Sequence, residues 1–204
     1  MKKFRNLSIL IASAMLLIPC IGNGDIEQIG PNLFAAGVPS SEFQYFAARQ
    51  RHSNWCWAAA IQMVLNYHGL FVNQSAVVER IYGAEVDAPA APDQILTALS
   101  GWAPDARGRF SEIDASPYTF SGSQIVQDLG YRWPIIVGLR TANGGGHAVV
   151  LTAVYYSVDP WNNPIFHSVV IRDPWPDSPS RQELSWSEFQ QRLLFMAHVR
   201  VRRL

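Results

Sequence analysis

Gln50-Arg51-His52-Ser53-Asn54-Trp55-Cys56-Trp57-Ala58-Ala59-Ala60 is a polar, loop-like run that turns into a helix at a cysteine. Ser53 and Asn54 are good N-cap residue types, and Ala58 to Ile61, Met63, Val64 and Leu65 carry on as a buried helix that Gly69 can end. The spacing predicts Cys56 in the first helical turn. There, unpaired backbone N–H groups and the positive end of the helix dipole favour a thiolate, the form that attacks a carbonyl carbon. From this stretch alone two readings of Cys56 stand: a nucleophile, or a small hydrophobe packed between Trp55 and Trp57.

The rest of the chain weighs between them. At 204 residues and 49% hydrophobic it can bury a sizeable core in one domain or a compact pair of lobes. Its formal charge of zero carries no basic footprint for nucleic acid or an anionic membrane surface, so a partner of neutral chemistry is expected. Residues 1–24 read as a secretory signal: Lys2, Lys3 and Arg5, an apolar run from Leu7 to about Ile21, then Gly22-Asn23-Gly24. An uncleaved anchor is the alternative, although the run is short for a membrane span. Leu17-Ile18-Pro19-Cys20 hints at a lipoprotein signal, but Pro19 is a poor residue for that processing. The other cysteine, Cys20, leaves with the signal, so Cys56 becomes the lone thiol of an exported domain, residues 25–204. Oxidising compartments modify or cross-link such a thiol, and chemistry explains its presence better than packing does.

Along the domain, Asp25 to Ser41 reads as an irregular arm broken by Gly30-Pro31 and Val38-Pro39. Helices are expected over about 41–48, 55–68, 74–82 closed by Gly83, 92–99 with Pro92 in the first turn, and 121–129 stopped by Gly130. Gly101 to Pro117 reads as a surface crossing. Strands are expected at 134–139, 147–156, 165–172 and 195–201, with Asp159 to Pro164 a hairpin-like turn and Ser185-Trp186-Ser187-Glu188 a capping-box helix start. Helices first and an antiparallel sheet second argue for an α+β fold.

A cysteine nucleophile works best with an imidazole beside it, itself held by a carboxylate or amide. Of the five histidines, His68 lies twelve residues along the same helix, roughly 18 Å away at the helical rise, and is excluded. His52 reaches Cys56 only if its loop folds back, and His167 and His198 read as half-exposed strand residues. His147 differs: it follows Asn143-Gly144-Gly145-Gly146 and opens the most apolar strand, which gives the imidazole a rigid mount. The alternative is a flexible hairpin tip that ends in histidine. The next strand ends in Arg172-Asp173-Pro174-Trp175, so antiparallel pairing brings Asp173 to the same sheet edge as His147. Its alternative role is a turn residue before proline, and Asp159 and Asp177 are weaker candidates. The oxyanion of the tetrahedral intermediate needs donors: the Cys56 backbone N–H is one, and Gln50, otherwise an ordinary surface glutamine, is the candidate for the other.

Taken together, Gln50 six residues before Cys56, Trp57 directly after it, a later Gly-His opening an apolar strand, and Asp173-Pro174 closing the next resemble papain-like cysteine peptidases. The Asn-Trp-Cys-Trp-Ala-Ala run and Asp173-Pro174-Trp175-Pro176 look most like the compact bacterial branch, which includes plant-pathogen effector proteases and, more distantly, leader-peptide-cleaving domains of bacteriocin exporters. The resemblance spans roughly Arg49 to Trp175. It implies a papain-like fold with Cys56 as nucleophile, His147 as base and acid, Asp173 as orienter and Gln50 as oxyanion donor. The short arm after the signal leaves no long inhibitory propeptide, and a separate exported chain departs from exporter domains, which are fused to a transporter.

The expectation is a secreted or periplasmic cysteine peptidase acting on a protein or peptide through a thioester, with no metal or organic cofactor and no nucleic-acid partner. Two rivals share the residues. The same triad can hydrolyse a side-chain amide or transfer the acyl group to an amine, and a dead peptidase fold can serve as a peptide-binding module.

Overall fold

A computed structural model describes residues 26–101, 105, 107–118 and 121–204. The signal read in residues 1–24 lies outside them. Six α-helices and eight strands follow in the order β1 (Ile26–Gly30), β2 (Leu33–Gly37), α1 (Ser40–Phe43), α2 (Cys56–Tyr67), α3 (Gln74–Tyr82), α4 (Pro92–Leu99), β3 (Ser111–Pro117), α5 (Gly122–Gly130), β4 (Ile135–Arg140), β5 (Gly146–Val158), β6 (Pro164–Arg172), β7 (Arg181–Ser185), α6 (Trp186–Arg192) and β8 (Leu193–Arg203). All the strand pairings are antiparallel, in the order β1-β2-β5-β4-β8-β3, with β6 on β5 and β7 on β6. This is the α+β class.

The central strands are apolar on both faces, as a sheet covered on both sides requires. Ile136, Ala148, Val150, Ala197 and Val199 point toward α2, α3 and α4, where they meet Ala58, Ile61, Val64 and Val77. Their neighbours Val137, Val149, Leu151 and Met196 point the other way, onto Ile125 and Leu129 of α5 and Phe189 of α6. Helix α2 is the pivot of the first core. Eight of its twelve residues are buried, with no acidic residue in its first turn and no basic one in its last, the pattern of a helix surrounded by protein. Truncating Ile61, Met63 or Leu65 to alanine in so closed a setting costs about 2–5 kcal/mol each.

Tertiary pairing adds strands that local pattern does not announce. The expected irregular arm forms the β1–β2 hairpin, whose Phe34 to Gly37 pair with Tyr156 to Ala153 of β5. The expected surface crossing holds β3, paired along its whole length with β8. Strand β7, five residues long, lines β6. Each is only five to seven residues long; β2, β3 and β7 gain their hydrogen bonds from the longer β5, β8 and β6, and β1 is added through β2. His198, expected half-exposed, is only 5% exposed because α5 packs over β8 there. His167 stays exposed and bonds Ser157 Oγ at 3.0 Å.

Candidate active site

The helix that carries Cys56 starts at that residue. Trp55 occupies the N-cap position with φ −95° and ψ 18°, and no side chain caps the helix. Asn54 does not cap, contrary to expectation, because it is tied elsewhere: its N–H donates to Asp87 Oδ1 at 2.8 Å and its amide to Asp87 O at 3.2 Å. The first-turn N–H groups of α2, Cys56 among them, are left without side-chain acceptors. Cys56 itself is half-buried and is the free cysteine of the described residues.

His147 sits second in β5, opposite Leu139 of β4, just after a tight turn closed by Thr141 N–H to Gly145 O and Gly144 N–H to Thr141 O. Gly144 takes φ +82° there, a conformation that disfavours a side chain. Strand β6 runs back alongside β5 and delivers Asp173 one residue past its end. His147 Nε2 meets Asp173 Oδ1 at 2.7 Å, with the two side chains 14% and 10% exposed. Cys56 lines the same groove beside the ring, whose Nδ1 is the nitrogen that Asp173 leaves open. Burial pushes the imidazole down, but the hydrogen bonds and negative charges of Asp173 and Cys56 outweigh it and lift the pKa to about 9. Burial likewise pushes the Asp173 carboxyl up, and hydrogen bonds from His147, the Trp175 N–H and Gln182 bring it below the ordinary carboxylate value. The structure thus brings Cys56, His147 and Asp173 together along one groove.

Gln50 is 6% exposed, not at the surface. Its Nε2 donates to His52 O and Ser53 O, both at 2.9 Å, and its N–H to Pro174 O at 2.8 Å. It therefore shapes the loop before the nucleophile, with both amide hydrogens committed. His52 is exposed and packs tilted against Trp55, 4.2 Å between ring centroids, and does not fold back toward Cys56. Asp159 accepts from Trp161 and Asn163 in its own turn, and Asp177 is exposed.

A family model described as papain-like cysteine protease AvrRpt2 matches residues 39–194, most of the chain. The chain belongs to that family. It is a cysteine peptidase, in line with the resemblance its motifs carry. A search of curated proteins finds no match. Among solved structures it is similar to the peptidase domain of Streptococcus ComA, a bi-functional ABC transporter involved in a quorum-sensing pathway, at 15% identity and TM-score 0.53, over 78% of this chain and 98% of that one. It is also similar to a double-glycine-motif protease from an AMS/PCAT transporter in complex with its leader peptide, at 20% identity and TM-score 0.47, over 78% and 91%. At 15% identity the ComA likeness is one of fold.

In this AvrRpt2-family protease the groove past Cys56 and His147 has two depressions. One is apolar, about 240 Å³, walled by Trp57, Pro89, Ile95, Ala148, Leu194 and Phe195. Phe195 lies so close over Gly138 that a Cβ there would meet its ring at 2.3 Å. The other, about 380 Å³, is more polar, with Ser53, Asn54, Thr141, Asn143, Trp175 and Arg192. Pro89 borders both. Its segment is fixed from beneath by the two tryptophans flanking the nucleophile and by the end of α3: Trp55 Nε1 donates to Val86 O at 2.8 Å, Trp57 Nε1 to Ala88 O at 3.1 Å, and Tyr82 Oη to Pro89 O. Buried Gln74 holds the other side of the motif loop through Arg49 O and the Arg51 N–H. Arg49 in turn donates to Trp175 O at 2.5 Å, tying the loop before Cys56 to the loop after Asp173. Sequence reasoning missed Gln74, Arg49, Asp87 and Gln182; the family's spacing marks none of them, since each acts through backbone atoms or another site residue.

Proposed function

We propose that this chain hydrolyses peptide bonds with Cys56 as nucleophile, His147 as general base and acid, and Asp173 as the orienter. The observation that carries the reading is the imidazole of His147 held by Asp173 at 2.7 Å in the groove that Cys56 also lines, beside the uncapped start of α2. The Cys56 proton passes to His147, giving a thiolate and imidazolium. The thiolate attacks the carbonyl carbon, and the charge on oxygen is met by the Cys56 N–H. Gln50 becomes the second donor when one of its amide hydrogens leaves the His52 or Ser53 carbonyl. As the C–N bond breaks, the imidazolium gives its proton to the leaving amine and a thioester remains. Neutral His147 then takes a proton from water, the resulting hydroxide attacks the thioester, and release of the acid returns the thiol proton.

The substrate in this reading is a protein or peptide lying extended through the groove, an apolar side chain in the depression beside Trp57 and Phe195. The same reading places the enzyme outside the cytosol, supported by the basic-then-apolar start of the chain and the lone thiol beyond it. The test is a peptide library digested by the purified protein and read by mass, with a primary amine added. Cleavage that depends on Cys56, His147 and Asp173 and leaves free carboxyl ends supports hydrolysis; amine conjugates would favour acyl transfer. The mass of the N-terminus in protein recovered from the periplasm or medium tests export, and an intact residue 1 found only in the cytosol contradicts it.

A further inference from the structure

We infer that Gln182 is a positioning residue of the catalytic centre, holding the second carboxylate oxygen of Asp173 and through it the plane of the His147 ring. The inference rests on the triad reading above. Asp173 Oδ1 takes two hydrogen bonds, from His147 Nε2 at 2.7 Å and from the Trp175 N–H at 2.8 Å. Anchored at one oxygen alone, a carboxylate can still turn about its Cβ–Cγ bond. Gln182 Nε2 reaches Oδ2 at 2.8 Å and removes that freedom. The amide that does so is itself oriented, because its nitrogen also donates to Pro179 O at 3.2 Å.

The fold supplies the means. Strand β7 pairs with β6 through Ile171↔Gln182 and Arg172↔Arg181, and Asp173 N–H continues to Ser180 O at 2.7 Å. The turn between the strands is therefore closed at its base, and the half-buried Gln182 reaches across from two ladder positions before Asp173, on the same face of the sheet. The residue type matters as well as the place. A neutral amide donates without charge, so the carboxylate keeps its full charge for the imidazolium. A lysine would draw that charge away, and a glutamate would repel it.

The experiment is a pH titration of His147 by NMR of its ring protons, alongside the iodoacetamide alkylation rate of Cys56, in the full chain. Gln182→Leu is expected to keep the fold by its melting curve while the His147 midpoint falls by about one pH unit, and Gln182→Lys, donor restored and charge added, to fall further. The alkylation rate at pH 5 should drop severalfold in both. A role confined to strand pairing lowers the melting temperature of Gln182→Leu and leaves the midpoint alone, and that result overturns the inference. Should the leucine variant not fold, an unmoved midpoint in Gln182→Lys does the same. Asp173→Asn is run beside them. If its midpoint is also unmoved, the triad reading itself falls; if it moves while both Gln182 variants match the wild type, only the role of Gln182 is lost.

Discussion

Two aspartate–histidine contacts stand at different depths of this protein. His147 meets Asp173 at the mouth of the groove, and His198 meets Asp128 beneath α5, Nδ1 to Oδ2 at 2.5 Å with side chains 6% and 1% exposed. By distance alone the second pair is as close as the first. What differs is the company each keeps. Asp128 shares its charge with Arg200, 3.0 Å away, and accepts from Tyr118, whose ring stacks on His198 at 3.5 Å. Burial drives His198 below the ordinary imidazole range, with Arg200 adding to that pull, although Asp128 opposes it. Among the described residues no such cation meets the Asp173 carboxylate; its donors are the imidazole, a backbone N–H and the Gln182 amide. The His147 ring borders the groove that a thiol also lines, whereas the face of His198 is covered by tyrosine. A His–Asp pair becomes a candidate acid–base group when its carboxylate is unshared and its other ring nitrogen opens on a reactant.

The largest break in this comparison comes from Cys56→Ala, which should cut peptide hydrolysis by roughly 10⁴-fold or more with the melting curve unchanged. Retained turnover would end the nucleophile reading. Next, the two aspartates should part company. Asp173→Asn is expected to lower kcat by roughly 10²–10⁴-fold with a small effect on stability. Asp128→Asn, which strips His198, Tyr118 and Arg200 of a shared buried carboxylate, should cost about 3–5 kcal/mol in denaturant unfolding and spare kcat wherever the protein remains folded. If each variant showed the other's phenotype, the two pairs would have been assigned the wrong way round. Gln50→Ala should cost about 10²-fold in kcat if its amide turns to the oxyanion, against little change in KM.

The smallest effects are in the pH dependence of stability, where the pairs have opposite signs. His147, raised to about 9 from 6.5, stabilises the fold fully below 6.5 and loses that contribution as pH rises through about 9. His198, lowered, stabilises above 6.5 and loses its contribution as pH falls. Melting temperatures should therefore lose a few degrees at the alkaline end in wild type but less in His147→Gln, with the acid end showing the same contrast for His198→Gln. Parallel behaviour of the two variants at both ends would remove the distinction.

That Cys56, His147 and Asp173 come together is legible because each stands where chain pattern changes: loop to helix, glycine turn to apolar strand, strand to Asp-Pro. The apolar runs of α2, β4 and β5 likewise announce themselves, since a covered sheet needs both faces filled. What was not legible is what depends on distant pairing. Ile26 to Gly37 alternates too weakly to show a hairpin, and only β5 makes it one. Asn54 has every mark of an N-cap, yet Asp87, thirty-three residues on, competes for it and wins. Gln182 lies nine residues past Asp173 in a short polar strand, and its role exists only in the closed turn.

The wall of the groove at 86–90 has a consequence for how such an enzyme can change. Trp55, Trp57 and Tyr82 grip it by main-chain carbonyls, which every amino acid carries. Its placement is thus decoupled from the identity of most of its residues. Mutation can rewrite the face offered to a new target while the scaffold beneath the nucleophile stays as it was, so preference can drift without renegotiating the catalytic machinery.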